Sequence, residues 1–249
     1  MKEIEKAGIH PEGLTELQEK LVISLVTAKT HTKIRRRDQL PDGTYKFYNV
    51  VRDTSPFDFA QEGEFALKLH EKNPGAPLAP EYFNLRNLPE DILDLAGRTL
   101  AEVKMRWKPN LCTGIPDAGV PLAKAYSKYS GVPFEEVFTK METEKGRRIV
   151  SLRESIVKGK TLLIIDDVVT RALSMIEAIE AANNNYIVLN PLALIDREQG
   201  GANNLKKEIG LELQAVYKHS QLLNFLLRTG EISQKKYDEV TDYLKRDNF

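Results

Sequence analysis

Two adjacent carboxylates, Asp166 and Asp167, are the side chains in this sequence whose position most clearly suggests chemistry. They follow an apolar run at residues 161–165, whose lack of polar alternation predicts a strand buried on both faces. Thr170 and Ser174 come next, followed by apolar residues at helical spacing. Ligands of open α/β sheets gather at the carboxyl ends of strands, and the next helix directs unpaired amides at an anion. This order of elements predicts a phosphate site.

The two acids need a partner other than phosphate, because carboxylates repel phosphate. Sugar hydroxyls are one candidate, since an ionised carboxylate only accepts hydrogen bonds. Magnesium is the other, since it prefers oxygen ligands and often arrives with substrate phosphates. A phosphorylated ribose with magnesium meets both demands. The alternative is a buried strand that ends in a solvated acidic turn, which would be favoured for an isolated Asp-Asp pair. The complete order of strand, acids, hydroxyls and helix favours the phosphate site.

Residues 164–170, Ile-Ile-Asp-Asp-Val-Val-Thr, resemble the phosphoribosyl pyrophosphate signature of the type I phosphoribosyltransferases. More specifically, the chain is similar to the orotate phosphoribosyltransferases. Four further stretches occur in that family's order: residues 65–68, 82–88, 113–123 and 195–201. The resemblance implies transfer of a 5-phosphoribosyl group from phosphoribosyl pyrophosphate to orotate, with magnesium as cofactor and a homodimer as the working form.

The resemblance also implies roles for individual residues. The catalytic set would be Lys140, Lys145, Asp166 and Asp167. Phosphoribosyl pyrophosphate would be bound by Lys68, Thr113, Gly114, Lys140, Asp166, Asp167, Val168, Val169, Thr170, Arg171, Ala172, Leu173 and Ser174. Orotate would be bound by Lys68, Tyr82, Phe83, Thr170 and Arg197. No side chain is expected to bind the metal directly; magnesium would come with the substrate, with Asp166 or Asp167 contacting it through water.

Two loops depart from the family pattern. In the charged segment 139–146, the family's catalytic lysine falls on Thr143 and its histidine on Lys145, and only Lys140 and Gly146 match. In the phosphate loop, the usual glycine is Ala172, and a residue other than glycine at positive φ costs ~1 kcal/mol or more.

These departures keep other functions open. Lys145, Arg147 or Arg148 would have to supply the missing positive charge, or the chain is a weakened or noncatalytic relative that binds phosphoribosyl pyrophosphate or a nucleotide. A receiver-type protein that uses the acidic pair for magnesium is a further alternative. Such proteins usually carry their acids after the first strand, whereas these acids follow roughly the third.

Length and composition set the frame. The chain has 249 residues, 41% of them hydrophobic, which is enough for a real core. Lys plus Arg equals Asp plus Glu at 36 each, which argues against a nonspecific nucleic-acid binder. The single cysteine, Cys112, suits a reducing compartment. No signal peptide or membrane helix is visible, so we expect a soluble cytoplasmic protein.

Strands alternate with helices from Asn110 onward, which predicts an α/β fold with a largely parallel central sheet flanked by helices. We expect residues 1–249 to form a single domain, with residues 1–88 forming a small N-terminal hood and 89–249 the α/β core. An Asp-Gly turn at 42–43 predicts a hairpin, and residues 30–63 look inserted relative to the family. The arginines of this segment lie beside aromatic residues, a pattern that is typical of binding to single-stranded nucleic acid. A solvated hairpin is favoured instead, because the whole chain is neutral. Strands are predicted at 110–115, 134–139, 185–195 and 211–217. Helices are predicted at 13–28, 117–130 and 202–209, and a further helix is predicted to begin at Pro89. Ser220 and Ser233 are expected to cap the last two helices, and residues 140–149 are expected to be flexible.

Overall fold

The computed structural model describes residues 13–66, 68–143, 146–152 and 159–246, and the side chains of residues 68, 69 and 246 are not described. The helices are α1 (Glu16–Thr27), α2 (Lys68–Lys72), α3 (Glu90–Ala101), α4 (Gly119–Ser130), α5 (Leu173–Ala182), α6 (Gly201–Glu208), α7 (His219–Thr229) and α8 (Gln234–Arg246). The strands are β1 (Thr30–Gln39), β2 (Tyr45–Thr54), β3 (Phe57–Phe59), β4 (Glu81–Phe83), β5 (Leu111–Gly114), β6 (Phe138–Thr143), β7 (Gly146–Ser151), β8 (Thr161–Val169), β9 (Ile187–Val188), β10 (Leu192–Asp196) and β11 (Gln214–Lys218).

A parallel sheet forms the centre of the molecule. Its strands lie in the order β11-β10-β8-β5, and β9 pairs with the start of β8. Every residue of β10 and most of β8 are buried, as expected of strands covered on both faces. The predicted largely parallel α/β fold is therefore confirmed.

Successive side chains of β8 enter two separate cores, because side chains alternate across a strand. Leu163 and Ile165 belong to the core that α1, α3, α4 and α7 cover. Leu162 and Ile164 belong to the core that α5 and α6 cover. The apolar run therefore fixes the sheet between two helical layers.

Local signals in the sequence set the helix ends. Thr15 and Gln18 form a capping box at the start of α1, and Gly131 ends α4 in the left-handed region at φ 69°. Ser233 accepts a hydrogen bond from the amide of Lys236 at 3.2 Å and so caps α8 as predicted. Ser220 was expected to cap α7, and this was wrong, because α7 already begins at His219.

Among the described residues, three two-stranded antiparallel sheets lie outside the central sheet. β1 pairs with β2 across the turn that contains Gly43, β3 pairs with β4, and β6 pairs with β7. The charged segment at 140–149, expected to be flexible, thus lies largely in the strands β6 and β7. None of the described helices is long and apolar enough to cross a bilayer.

Two strand predictions need correction. Residues 134–139 do not form a central strand: only an isolated bridge joins Phe134 to Cys112, and β6 begins at Phe138. Residues 185–195 form two strands, β9 and β10, because Pro191 lies between them and cannot donate to a ladder.

Close backbone contacts hold the loop after β5 against β8. A Cβ atom added to Gly119 would lie 2.5 Å from the carbonyl oxygen of Ile165, and one added to Gly114 would lie 2.2 Å from the carbonyl oxygen of Gly119. The amide of Ile115 also donates to the carbonyl of Ile165 at 2.9 Å. Glycine is therefore required where α4 approaches the strand that carries the acids.

We expect Gly119→Ala to lower the free energy of unfolding by about 1–3 kcal/mol, the usual cost of overpacking. The added methyl group can be accommodated only by moving α4 away from β8. Urea denaturation of the purified variant measures the effect. Gly75→Ala is the control, since a Cβ at Gly75 would have no atom within 4 Å. Equal stability of both variants would contradict the close approach.

Candidate active site

The carboxyl ends of the central strands meet at one edge of the sheet. In the register of the sheet, Gly114 lies beside Ile165, Val169 beside Asp196, and Asp196 beside Lys218. The loops after β5, β8 and β10 therefore open on the same edge, where ligands of α/β sheets bind.

Asp166 and Asp167 lie within β8, which continues to Val169, so the strand does not stop at the acids as expected. Asp166 is 9% exposed and Asp167 is half-buried. The amide of Asp167 donates to Oδ1 of Asp166 at 3.0 Å. Burial raises the pKa of Asp166 well above its usual value, and the charge of Asp167 adds to this effect, while the charge of Lys140 opposes it. Asp166 therefore tends to keep its proton, and Asp167 is the more open of the two.

The loop from β8 to α5 has the form of an anion site. Thr170, Arg171 and Ser174 are exposed at the start of α5, whose first amides have no partner within the helix. Ala172 adopts φ 61° and ψ 17°, the left-handed conformation for which the family uses glycine. The loop therefore takes its expected shape although alanine is strained there.

Gly201, at the start of α6, lies directly behind this loop. A Cβ atom on Gly201 would lie 2.5 Å from the carbonyl oxygen of Thr170 and 2.7 Å from Cγ1 of Val169. Asn204 also donates to the carbonyl of Arg171 at 3.2 Å. The start of α6 thus supports the loop that holds the predicted phosphate.

The residues predicted to receive pyrophosphate lie beside the acids. Thr113 is buried, and its hydroxyl accepts the amide of Val137 at 3.3 Å, so its side chain already has a structural partner. Nζ of Lys140 lies 3.4 Å from Oδ2 of the exposed Asp117. Lys140 therefore faces both the loop after β5 and the acidic pair.

The strands β6 and β7 carry Lys140, Thr143, Arg147 and Arg148 of the charged segment. Lys140 pairs with Ile149 and Thr143 with Gly146 in their register. Arg147 and Arg148 are exposed on β7. Lys145 lies outside the described residues.

Aromatic rings and Arg197 form the predicted base site. Tyr82 stacks on Phe65 with ring centroids 4.8 Å apart, and Phe83 stacks on Phe57 at 4.2 Å. The guanidinium of Arg197 lies 5.5 Å from the centre of the Phe83 ring. The structure thus brings three of the five predicted base-site residues onto neighbouring elements; Thr170 lies in the phosphate loop, and the side chain of Lys68, the first residue of α2, is not described.

Sequence reasoning missed a buried carboxylate at this site. Nη2 of Arg197 donates to Glu81 at 2.8 Å, and Nε2 of His219 lies 2.8 Å from the same carboxylate. Glu81 and His219 are 138 positions apart, so no local pattern connects them. The one available signal was an acidic residue beside the aromatic pair at Tyr82 and Phe83.

The donor set suits a metal that is bound through a substrate. Among the described residues, no group of three or more His, Cys, Asp or Glu side chains could hold a metal ion. Asp167, the more open of the two acids, offers carboxylate oxygens at the sheet edge, which fits magnesium, since magnesium commonly uses one or two carboxylates plus substrate phosphates.

The arginines of the β1–β2 hairpin have partners within the chain. Arg35 forms an ion pair with Glu71 at 2.7 Å, Arg36 donates to the carbonyl of Glu62 at 2.6 Å, and Arg37 donates to the carbonyl of Ala76 at 2.7 Å. These contacts give the arginines a structural role.

Comparison with known proteins gives a matching family and similar curated relatives. The family described as phosphoribosyl transferase domain matches residues 81–214. The chain is 31% identical to an orotate phosphoribosyltransferase of Pyrobaculum islandicum over 169 residues, which cover 67% of this chain and 86% of the relative. It is 28% identical to that of Caenorhabditis elegans over 190 residues, covering 74% of this chain and 79% of the relative.

Solved structures agree with these relatives. The fold is similar to UMP synthase of Leishmania donovani, with a TM-score of 0.61 and 27% identity over 77% of this chain; the chain spans 40% of that longer protein. Orotate phosphoribosyltransferase from Aeropyrum pernix has a TM-score of 0.51 at 20% identity, covering 67% of this chain and 98% of that one, and shows the shared fold.

We expect Asp166→Asn to be more stable than wild type at neutral pH, because the neutral amide does not carry the charge that burial disfavours at this position. Because burial raises the pKa of Asp166, the folded protein holds a proton that the unfolded chain releases above its ordinary value of 3.8. The wild-type protein therefore loses stability as the pH rises from 3.8 toward the raised pKa of Asp166. The variant shows no such loss, because asparagine cannot ionise. Urea denaturation from pH 4 to pH 8 should show the advantage of the variant growing with pH.

Asp94→Asn provides a control of opposite sign. Hydrogen bonds from Lys128 and Tyr129 lower the pKa of Asp94 to about 2, so its ionised form stabilises the folded state. This variant should be less stable than wild type at neutral pH, and the difference should shrink as pH falls toward 2. A stability advantage for Asp166→Asn that does not depend on pH would contradict the raised pKa.

Proposed function

The chain belongs to the phosphoribosyltransferase family, in its orotate phosphoribosyltransferase branch, and we propose that its site transfers the 5-phosphoribosyl group from phosphoribosyl pyrophosphate to orotate. The bond from ribose C1 to the pyrophosphate oxygen breaks, and a bond from N1 of orotate to C1 forms. Pyrophosphate and orotidine monophosphate leave, and the proton of N1 goes to solvent. The observation that carries this proposal is that the pair Asp166–Asp167 lies shortly before a loop in which Ala172 has the left-handed conformation, at the start of α5.

Asp167 and Asp166 hold the ribose in this proposal. Asp167 is the half-buried, accessible carboxylate and accepts hydrogen bonds from the ribose hydroxyls. Asp166 is buried behind it, and its carboxyl oxygen fixes the backbone of Asp167 by accepting its amide. The two acids thus have different tasks, one of contact and one of support.

The loop after β8 holds the 5′-phosphate. The backbone and side chains from Val168 to Ser174 surround the start of α5, and the amides of its first turn favour a bound anion. The side chains of Thr170 and Ser174 are exposed and add hydroxyl donors. The left-handed Ala172 turns the backbone into this shape.

The leaving pyrophosphate is held on the β5 side of the acids. The backbone at Thr113 and Gly114 approaches it, and Lys140 supplies positive charge from β6. Stabilising charge that develops as a group leaves is the main task of such residues. Lys145, which lies outside the described residues, or the exposed Arg147 and Arg148, replace the lysine that the family has at the position of Thr143.

Magnesium fits this site as a partner of the substrate. Asp166 or Asp167 would contact it through water, and it would neutralise charge on the pyrophosphate. The chain's own residues provide the remaining contacts.

Orotate lies beside the aromatic pair and Arg197 in this proposal. A flat pyrimidine gains from contact with Tyr82 and Phe83, and a guanidinium suits its carboxylate or carbonyl oxygens. Lys68 and Thr170 complete the set implied by the family. We further propose that the chain acts as a homodimer in the cytoplasm, in which the β6–β7 hairpin reaches toward the neighbouring subunit; light scattering of the purified protein tests the dimer.

Purified protein should consume orotate when magnesium and phosphoribosyl pyrophosphate are present, because the residues proposed to hold ribose, phosphate and base lie along one edge of the sheet. The fall in orotate absorbance measures turnover, and omission of phosphoribosyl pyrophosphate is the control. The second candidate is a relative that binds without turnover, which the substitutions at Thr143 and Ala172 favour. Binding of phosphoribosyl pyrophosphate in calorimetry without loss of orotate absorbance would select that candidate.

We expect Asp167→Asn to lower turnover at least ~10-fold, equivalent to ~1.4 kcal/mol of lost stabilisation of the transition state. The neutral amide cannot hold the ribose hydroxyls as a carboxylate does. The orotate absorbance assay measures the change. Asp91→Asn, an exposed position in the first turn of α3, is the control and should keep wild-type turnover. Turnover like wild type in the Asp167 variant would refute the ribose-holding role.

A further inference from the structure

We propose that Glu81, supported by His219, is a positioning residue that fixes the guanidinium of Arg197 for the base. The inference rests on the proposed function, because Arg197 contacts orotate there. It goes further by assigning a role to two residues that lie behind the site and belong to neither the ribose nor the phosphate contacts.

Glu81 is a charged group that the fold encloses completely. Its side chain is 0% exposed, and that of His219 is 1% exposed. A buried carboxylate is tolerated only when it is paired and hydrogen-bonded, because leaving water costs several kcal/mol. Both partners satisfy it at 2.8 Å, Arg197 through Nη2 and His219 through Nε2. The carboxylate therefore has a defined position, and Arg197 has a defined anchor.

The aromatic layer fixes the guanidinium from a second direction. Arg197 lies over the Phe83 ring at 5.5 Å, and Phe83 is itself held by stacking on Phe57 at 4.2 Å and by an edge contact with His219 at 5.9 Å. A planar cation held at one edge by a carboxylate and on one face by a ring has little freedom to rotate. His219 contacts both the carboxylate and the ring, so it joins the two supports.

The backbone of Arg197 links this arrangement to the sugar site. Its amide donates to the carbonyl of Val169 at 2.9 Å, at the end of the strand that carries the acids. The position of the guanidinium is thereby defined relative to the ribose and the phosphate loop. This is the geometry needed when the N1 atom of a base must meet the C1 atom of a ribose.

The pairing also changes what Arg197 recognises. The Glu81 charge offsets part of the arginine's attraction for any anion, so the remaining selectivity depends on the direction of the free donors. Nη2 of Arg197 donates to Glu81 at 2.8 Å, and this contact sets the direction of the other guanidinium donors. A base with acceptors placed to meet this fixed fork is therefore preferred over a diffuse negative charge.

The test measures orotate and phosphoribosyl pyrophosphate kinetics of Glu81→Gln. We expect the KM for orotate to rise about tenfold, equivalent to ~1.4 kcal/mol, with the KM for phosphoribosyl pyrophosphate within about twofold of wild type. In an Arg197→Ala background, Glu81→Gln should cause no further rise, because its effect acts through Arg197. The double variant removes both members of the ion pair, so neither charge is left buried without its partner.

His219 gives a second, independent pair of variants. His219→Gln keeps an N–H donor for Glu81 and should keep the KM for orotate within about twofold of wild type, whereas His219→Leu removes the donor and should raise it. This pair carries the test if Glu81→Gln does not fold.

Glu64→Gln is the matched control, since the Glu64 side chain is 1% exposed and pairs with Arg52 at 2.6 Å on the β1–β2 hairpin. It should lose thermal stability without changing the KM for orotate. An equal rise of that KM in this control, an unchanged KM in Glu81→Gln, or an additive effect in the Arg197→Ala background would each overturn the positioning role. Absence of orotate turnover by wild type would overturn the proposed function together with this inference, whereas turnover with an unaltered Glu81→Gln overturns the inference alone.

Discussion

The burial of one carboxylate inside an apolar strand is the constraint on which this structure depends. Asp166 follows four fully buried aliphatic side chains and continues their strand. A solvated position would be less costly for its charge, and burial raises its pKa accordingly. The cost is retained because the carboxyl oxygen holds the backbone of Asp167, and Asp167 faces the open edge of the sheet. The fold is thus less stable than it would be without the buried carboxyl, but this carboxyl positions one accessible acid, and such local costs are common at functional sites.

Three glycines turn this buried strand into a site. Gly114 and Gly119 allow the loop after β5 to touch the strand beside Asp166, and Gly201 allows α6 to touch the loop after it. In each case a side chain would collide with backbone atoms, which cannot move aside as a flexible side chain can. The spacing between the loops is therefore set by main-chain contact. This explains how the loop reaches a left-handed conformation at Ala172 without glycine: its neighbours determine its path.

The sequence predicted those parts of the site whose residues are contiguous in the chain. From Thr161 to Ser174, the strand, acids, loop and helix follow each other, so local patterns were sufficient. The hairpin at 140–149 was missed because its charged residues favour solvent, which indicates exposure and says little about pairing. The pair Glu81–His219 was missed for a different reason: its members are brought together only when β4 and the start of α7 meet. Pairing across such a separation is a property of the tertiary structure, and no periodicity in one chain segment encodes it.

Two buried carboxyl groups at one site have opposite electrostatic environments, and the difference indicates their tasks. Asp166 lies beside another acid, so its environment disfavours charge. Glu81 lies between a guanidinium and an imidazole, so its environment supplies donors for both oxygens. A carboxyl that tends to keep its proton suits a backbone support in a site that must receive a highly anionic substrate. A carboxylate that is paired suits the orientation of a cation toward a flat base. The differences from the family pattern at Thr143 and Ala172 affect neither arrangement, since these residues lie in segments that we propose contact pyrophosphate and phosphate. The ribose and base sites can therefore be complete in this chain even where the contacts to the leaving group have been rebuilt with different residues.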